Sequence, residues 1–128
     1  MRASATNLAR VSLELGGQAP FIVFDDADLD AAVEGVLMSK FQVNGQSCLC
    51  ANRIFVQDSV AHYFTARLTE AVSKLKVGPG DEEGVDVGPL IDGAGFEKVN
   101  AHVVDAVDRG ATVETGGGRM EAYPDGYF

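Results

Sequence analysis

Residues 20–56 read PFIVFDDADLDAAVEGVLMSKFQVNGQSCLCANRIFV. Phe21-Ile22-Val23-Phe24 is short, apolar and rich in β-forming residues, as expected of a strand covered on both faces in a parallel sheet. Asp25, Asp26, Asp28 and Asp30 come next, where carboxylates cap free amides and oppose the positive end of a helix dipole. From Leu29 to Phe41 the apolar positions Leu29, Val33, Val36, Leu37 and Phe41 keep helical spacing, and Asn44-Gly45 stops it. Arg53-Ile54-Phe55-Val56 is a second strand. Strand, helix and strand in this order make a right-handed crossover unit of a mainly parallel sheet.

The pattern extends in both directions. Upstream, Val11, Leu13 and Leu15 alternate with Ser12 and Glu14, which predicts a strand over 10–15 ended by Gly16-Gly17. Downstream, Asp58 or Ser59 can cap a helix whose face comprises Val60, Tyr63, Phe64, Arg67, Leu68, Ala71, Val72 and Leu75. Gly78 to Gly84 is a charged, turn-rich loop. Phe96, Val99, Val103, Ala106 and Val107 mark a third helix ended by Gly110, and Ala111-Thr112-Val113-Glu114 is a further expected strand. The fold class expected is α/β, a mainly parallel three-layer α/β/α sheet.

A chain of 128 residues is the length of one domain, with one core burying roughly two thirds of its unfolded surface. No internal repeat is present. Tyr127-Phe128 have the makings of a further strand, so residues 1–128 are expected to form a single partial domain, truncated within its sheet. Hydrophobic residues are 46% and charged residues 23%, and no window is long and uncharged enough to cross a bilayer, which argues against disorder and against a membrane partner. The net charge of −9 comes from 19 acids against 10 scattered bases. Without a basic stripe, a nucleic-acid partner is not expected. Two cysteines and no apolar leader segment point to a reducing, cytoplasmic setting.

Cys48 lies just past a helix-ending turn, on a connection between regular elements, a usual location for reactive groups. Free cysteine is also among the most buried residue types, so a small core thiol is the competing reading. Its setting favours reactivity: Gly45 permits close backbone approach, and polar Asn44, Gln46 and Ser47 surround it. Glu14 is expected at a strand's carboxyl end, facing the crevice where open α/β sheets bind ligands, with room left by Gly16-Gly17. A thiol can capture an aldehyde carbon, and a carboxylate can activate the water that releases the acyl group.

Other candidates carry less. His62 and His102 share their helix faces with polar residues and are expected at the surface. Cys48 and Cys50 form a Cys-x-Cys pair, yet no further cysteine or zinc-type histidine spacing accompanies it, so no metal is expected. On an extended segment the two sulfurs would share one side, with α-carbons roughly 6.5 Å apart, at the upper edge of disulfide geometry. A bridge through Cys50 would be a strained, reversible redox one. Gly116-Gly117-Gly118 has no helix opening after it and is expected to be a turn rather than a phosphate cradle.

Leu13-Glu14-Leu15-Gly16-Gly17 with Ala19-Pro20, Gly45-Gln46-Ser47-Cys48, Arg53, Gly88-Pro89-Leu90-Ile91, Gly116-Gly117 and Gly126-Tyr127-Phe128 together resemble the central part of an aldehyde dehydrogenase catalytic domain. The likeness spans essentially the whole chain. It implies that Cys48 is the nucleophile, passing through a thiohemiacetal and a thioester, and that Glu14 is the base. It also implies NAD or NADP as cofactor, with Leu15 and Gly16 beside it and the cofactor-binding domain lying outside this chain. A small aldehyde substrate and a homo-oligomeric full-length enzyme follow from the same likeness.

Cys48-Leu49-Cys50-Ala51-Asn52-Arg53 is most similar to succinate-semialdehyde dehydrogenases, in some of which the second cysteine forms a redox switch. Two positions depart from that pattern. Val43 stands where the family has asparagine, with Asn44 one place later, and Gln42 stands where a carboxylate-binding arginine is found. Two rival readings are a noncatalytic interaction or regulatory module retaining dehydrogenase motifs, and a thiol esterase, since acyl transfer through Cys48 needs no nicotinamide.

Overall fold

The computed structural model describes residues 2–128. In chain order the elements are α1 (Arg2–Ala5), β1 (Ala19–Val23), α2 (Leu29–Phe41), β2 (Ala51–Val56), α3 (Asp58–Ser73) and α4 (Gly93–Asp108), with a tight turn at Gln42–Gly45. The strands β1 and β2 pair in parallel and α2 forms the crossover between them, as the spacing predicts. The α/β class read from residues 20–56 is the class observed.

Each end of the crossover has a local cause. Asp28 caps α2, its Oδ1 accepting from the amides of Asp30 and Ala31, each at 3.1 Å. Asp25 Oδ2 accepts from Gln57 Nε2 at 2.7 Å and Ser59 Oγ at 3.3 Å, tying the end of β1 to the start of α3. The cap position of α3 is Gln57, one residue before the expected Asp58 or Ser59, and it makes no side-chain cap bond. Ser59 is instead drawn to Asp25. Asp92 caps α4 by accepting from Gly95 N at 2.7 Å, so that helix begins at Gly93, ahead of its first apolar residue. Gly110, at φ +95°, ends it.

Val23, Val33, Val36 and Phe64 form the core, with Phe21, Leu29, Ile54, Val56, Leu68 and Ala71 packed against it. These residues belong to one face of the β1·β2 pair and to α2 and α3. Phe64 is 1% exposed, so it is the largest side chain sealed there. Ile22, Phe24 and Phe55 point to the other face and are each more than half exposed. The continuous apolar run over 21–24 was expected to be covered on both faces; among the described residues one face is covered. Arg67 pairs with Asp30 at 2.6 Å, fastening α3 to the start of α2. At the far end of α3, the Lys74 ammonium hydrogen-bonds Glu70 at 2.6 Å and holds its carboxyl below the usual carboxylate range.

Two expected strands are not formed. Residues 9–18 and 111–114 carry no strand, and the sheet has two strands only among the described residues. The physical reason is partnership: alternation supplies a face, but a strand exists only where a neighbour accepts its hydrogen bonds. Val11, Leu13 and Leu15 are left exposed. Glu14 therefore does not end a strand; it precedes the amino end of β1.

Phe64→Ala is expected to lower unfolding free energy by about 3–5 kcal/mol, because it empties the centre of the core. His62→Ala, on the exposed face of the same helix, should stay within about 0.5 kcal/mol. Urea titration followed by far-UV circular dichroism measures both.

Candidate active site

The nucleophile candidate and the base candidate reach the sheet from the same end. Cys48 lies three residues before the start of β2 and Glu14 five before the start of β1. The strands are parallel, with Ala19 opposite Ala51, so both segments emerge at the amino edge of the pair. The Arg53 guanidinium links them further, its Nε and Nη2 donating to Gln18 O at 3.0 and 2.6 Å. One side chain on β2 thus grips the backbone just after Gly16-Gly17.

The register explains how Arg53 comes to that position. Ala19 pairs with Ala51, but Pro20 pairs with Arg53, so Asn52 is an extra residue in β2. Proline has no amide hydrogen to give to a ladder, and a bulge at that step removes the demand. With Asn52 squeezed out of register, Ala51 is buried and both Asn52 and Arg53 face away from the core.

Ahead of the cysteine the backbone is left-handed for three residues: Val43 at φ 50°, Asn44 at φ 55° and Gly45 at φ 73°. A β-branched residue there is strained. Val43 is 75% exposed, so its side chain gains nothing by packing. Asn44 secures the turn, its Oδ1 accepting from Gly88 N at 2.9 Å and its Nδ2 donating to Pro89 O at 3.4 Å. Gly45 is required by φ and by space, since a Cβ there would lie 3.2 Å from both Lys40 Nζ and Lys40 O.

Cys48 itself is exposed, and its thiol has no partner among the described residues. It sits in a turn closed by Cys50 N donating to Ser47 O at 3.0 Å, with Leu49 N donating to Ser47 Oγ at 3.2 Å. The Cys48 amide makes no hydrogen bond within the described chain, leaving a donor beside the sulfur for a developing oxyanion. Cys50 is 1% exposed, and its Sγ donates to Lys40 O at 3.3 Å. The expectation that both sulfurs lie on one side of an extended segment is corrected: the segment turns, and one thiol faces solvent while the other faces the interior. Both are free thiols.

Glu14, Leu15 and Gly16 are exposed, and the Glu14 carboxylate has no hydrogen bond or ion pair among the described residues. A Cβ added at Gly16 or Gly17 would meet nothing within 4 Å, so the surface there is open. His62 and His102 are exposed and lie on α3 and α4, away from this edge. Asn44, Gly88, Leu90, Gly117, Tyr127 and Phe128 line parts of one cavity of about 220 Å³. Motifs scattered through the sequence therefore meet around a cavity that Asn44, four residues before Cys48, helps to line. Sequence reasoning missed Lys40 and Asn52. Lys40 resembled an ordinary helix-end cation, and nothing but Pro20 on the opposite strand hints at the bulge that frees Asn52.

A model of the aldehyde dehydrogenase family matches residues 1–128. The chain is 58% identical over 121 residues to a glutarate-semialdehyde dehydrogenase of Pseudomonas putida, covering 94% of this chain and 25% of that one. It is 56% identical over 117 residues to a succinate-semialdehyde dehydrogenase (NADP(+)) of Escherichia coli, covering 91% and 24%. The crystal structure of succinate-semialdehyde dehydrogenase from Burkholderia pseudomallei superposes with a TM-score of 0.87 at 54% identity, covering 94% of this chain and 25% of that chain. The chain thus spans about a quarter of the length of the relatives it matches.

Val43→Asn is expected to raise stability by about 1 kcal/mol, because asparagine tolerates the left-handed region that valine does not. Gly45→Ala should lower it by about 1–2 kcal/mol for the converse reason. Thermal unfolding of the two variants beside the parent checks both signs.

Proposed function

The chain belongs to the aldehyde dehydrogenase family, and from that membership we propose that it is the nucleophile-bearing part of an NAD(P)-dependent enzyme oxidising a small semialdehyde to its acid. Succinate semialdehyde is the favoured substrate. The observation that carries the reading is the exposed Cys48 thiol, with an unengaged amide beside it, on a turn at the same sheet edge as the unpaired Glu14 carboxylate. In this reading residues 1–128 are part of one catalytic domain, and the cofactor-binding domain lies elsewhere in a longer polypeptide.

The residues then divide the work. The Cys48 thiolate adds to the aldehyde carbon and forms a thiohemiacetal, whose oxyanion accepts from the Cys48 amide. The chemistry that NAD or NADP supplies when bound is hydride acceptance. The open surface at Leu15-Gly16 fits that group, since no neighbouring atom fills the space over either glycine. Glu14 takes a proton from the water that attacks the thioester, and its position before two unobstructed glycines leaves room for the carboxylate to swing to the acyl carbon. Cys48 is regenerated as the acid leaves.

Substrate choice turns on Gln42. It is exposed at the end of α2, and an amide there gives a distal carboxylate a neutral partner in place of a bidentate cation. The relatives named for glutarate and succinate semialdehydes support a substrate with such a carboxylate.

The intact polypeptide is expected to form NADH or NADPH on addition of succinate semialdehyde, and the 128-residue chain alone to form none, read at 340 nm. Cys48→Ala should abolish turnover. Glu14→Gln should leave a single-turnover burst and lower the steady state by about 10²–10⁴-fold, the usual contribution of a general base. Turnover that survives Cys48→Ala overturns the proposal. Gln42→Arg should lower KM for succinate semialdehyde by roughly tenfold, the worth of one charge-assisted contact.

A further inference from the structure

We infer that Lys40 is a positioning residue for the Cys48 thiol, its ammonium closing the base of the loop that carries the nucleophile. The inference rests on the reading of Cys48 as the nucleophile and adds what holds it in place. Lys40 Nζ donates to Gly45 O at 3.2 Å and to Asn52 Oδ1 at 2.8 Å. Gly45 lies three residues before Cys48 and Asn52 four residues after it. A single cation therefore joins the two ends of the excursion that has Cys48 at its apex.

The same residue makes a third contact from its backbone, the Lys40 carbonyl accepting the Cys50 thiol at 3.3 Å. Lys40 thus meets the loop at its entry, at its exit and at the residue two places beyond the nucleophile. A lysine in the last turn of a helix ordinarily serves the helix dipole and keeps its head in water. This one is half-buried and makes no ion pair among the described residues. Both acceptors of its ammonium are neutral oxygens, one on the loop before Cys48 and one at the start of β2 beyond it.

The surroundings make the arrangement directional. Lys40 is anchored because α2 is rooted in the core through Val33 and Val36. Asn52 is reachable because the bulge takes it out of register, leaving its exposed side chain 2.8 Å from Lys40 Nζ at the end of α2. Gly45 O is presented by the left-handed run at 43–45, a backbone state that persists only when its surroundings over-determine it. Asn44 ties that run to Gly88 and Pro89 on one side, and Lys40 ties it to Asn52 on the other. Losing the ammonium releases the loop ends while leaving the core untouched, so the consequence falls on where the sulfur points.

The test compares iodoacetamide alkylation rates of Cys48 and Cys50, resolved by peptide mass spectrometry, in the parent chain and in Lys40→Met, Lys40→Arg, Asn52→Ala and the Lys40→Met/Asn52→Ala pair. Cys48 is expected to react much faster than Cys50 in the parent. Lys40→Met should bring the ratio at least fivefold closer to unity, and Lys40→Arg should restore at least half of the difference, since a guanidinium can also bridge two oxygens. Asn52→Ala, an exposed change that spares folding, should move the ratio in the same direction, and the double variant should move it no further than Lys40→Met alone. An unchanged ratio in Lys40→Met and in Asn52→Ala, whatever happens to Tm, overturns the positioning role; so does full additivity in the double variant. A parent chain in which Cys48 reacts no faster than Cys50 overturns the nucleophile reading itself, and the inference with it.

Discussion

The parallel pairing of β1 with β2, slipped by one residue at Pro20, is the constraint on which the site depends. Parallel strands deliver their preceding segments to the same edge, so the pairing of Ala19 with Ala51 alone brings the Glu14 and Cys48 segments to one side of the molecule. The slip then determines which side chains are free there. Pro20 cannot donate, Asn52 drops out of register, and Arg53 arrives opposite Pro20, where its guanidinium grips Gln18 O. The loop, the clamp and the base-bearing segment are all consequences of that one irregular step.

Much of this was legible from residues 20–56. Apolar spacing from Leu29 to Phe41 gave a helix with the observed bounds, and Asn44-Gly45 marked its end because both residues accept left-handed backbone. Cys48 was expected in an accessible connection and is exposed. Where reading failed, the missing information was non-local. Val11, Leu13 and Leu15 alternate as a strand does, but a ladder with a neighbour is a property of the sheet, and residues 9–18 find no neighbouring strand among the described residues. The side of the sheet assigned to Glu14 was inverted for that reason: a carboxyl end became an amino end.

Val43 was illegible for a different reason. Valine is among the residues least suited to positive φ, so no local rule would place it there; the turn is set by Asn44 reaching across to Gly88 and Pro89. The contrast between Cys48 and Cys50 has the same origin. Two residues apart on a strand they would be equivalent, and it is the Ser47 turn that sends one thiol outward and folds the other against the end of α2.

The extra residue in β2 also shifts the parity of the strand. Beyond it Ile54 and Val56 face the helices; before it Ala51 does so as well, although an uninterrupted pleat would have placed Asn52 there and turned Ala51 outward. The bulge therefore keeps the thiol-bearing loop in step with the sheet although the strand carries one residue too many. Shortening β2 by that residue would leave Ala51 facing the helices and Arg53 opposite Pro20, so the sulfur would keep its side of the sheet while Lys40 lost the amide it now reaches.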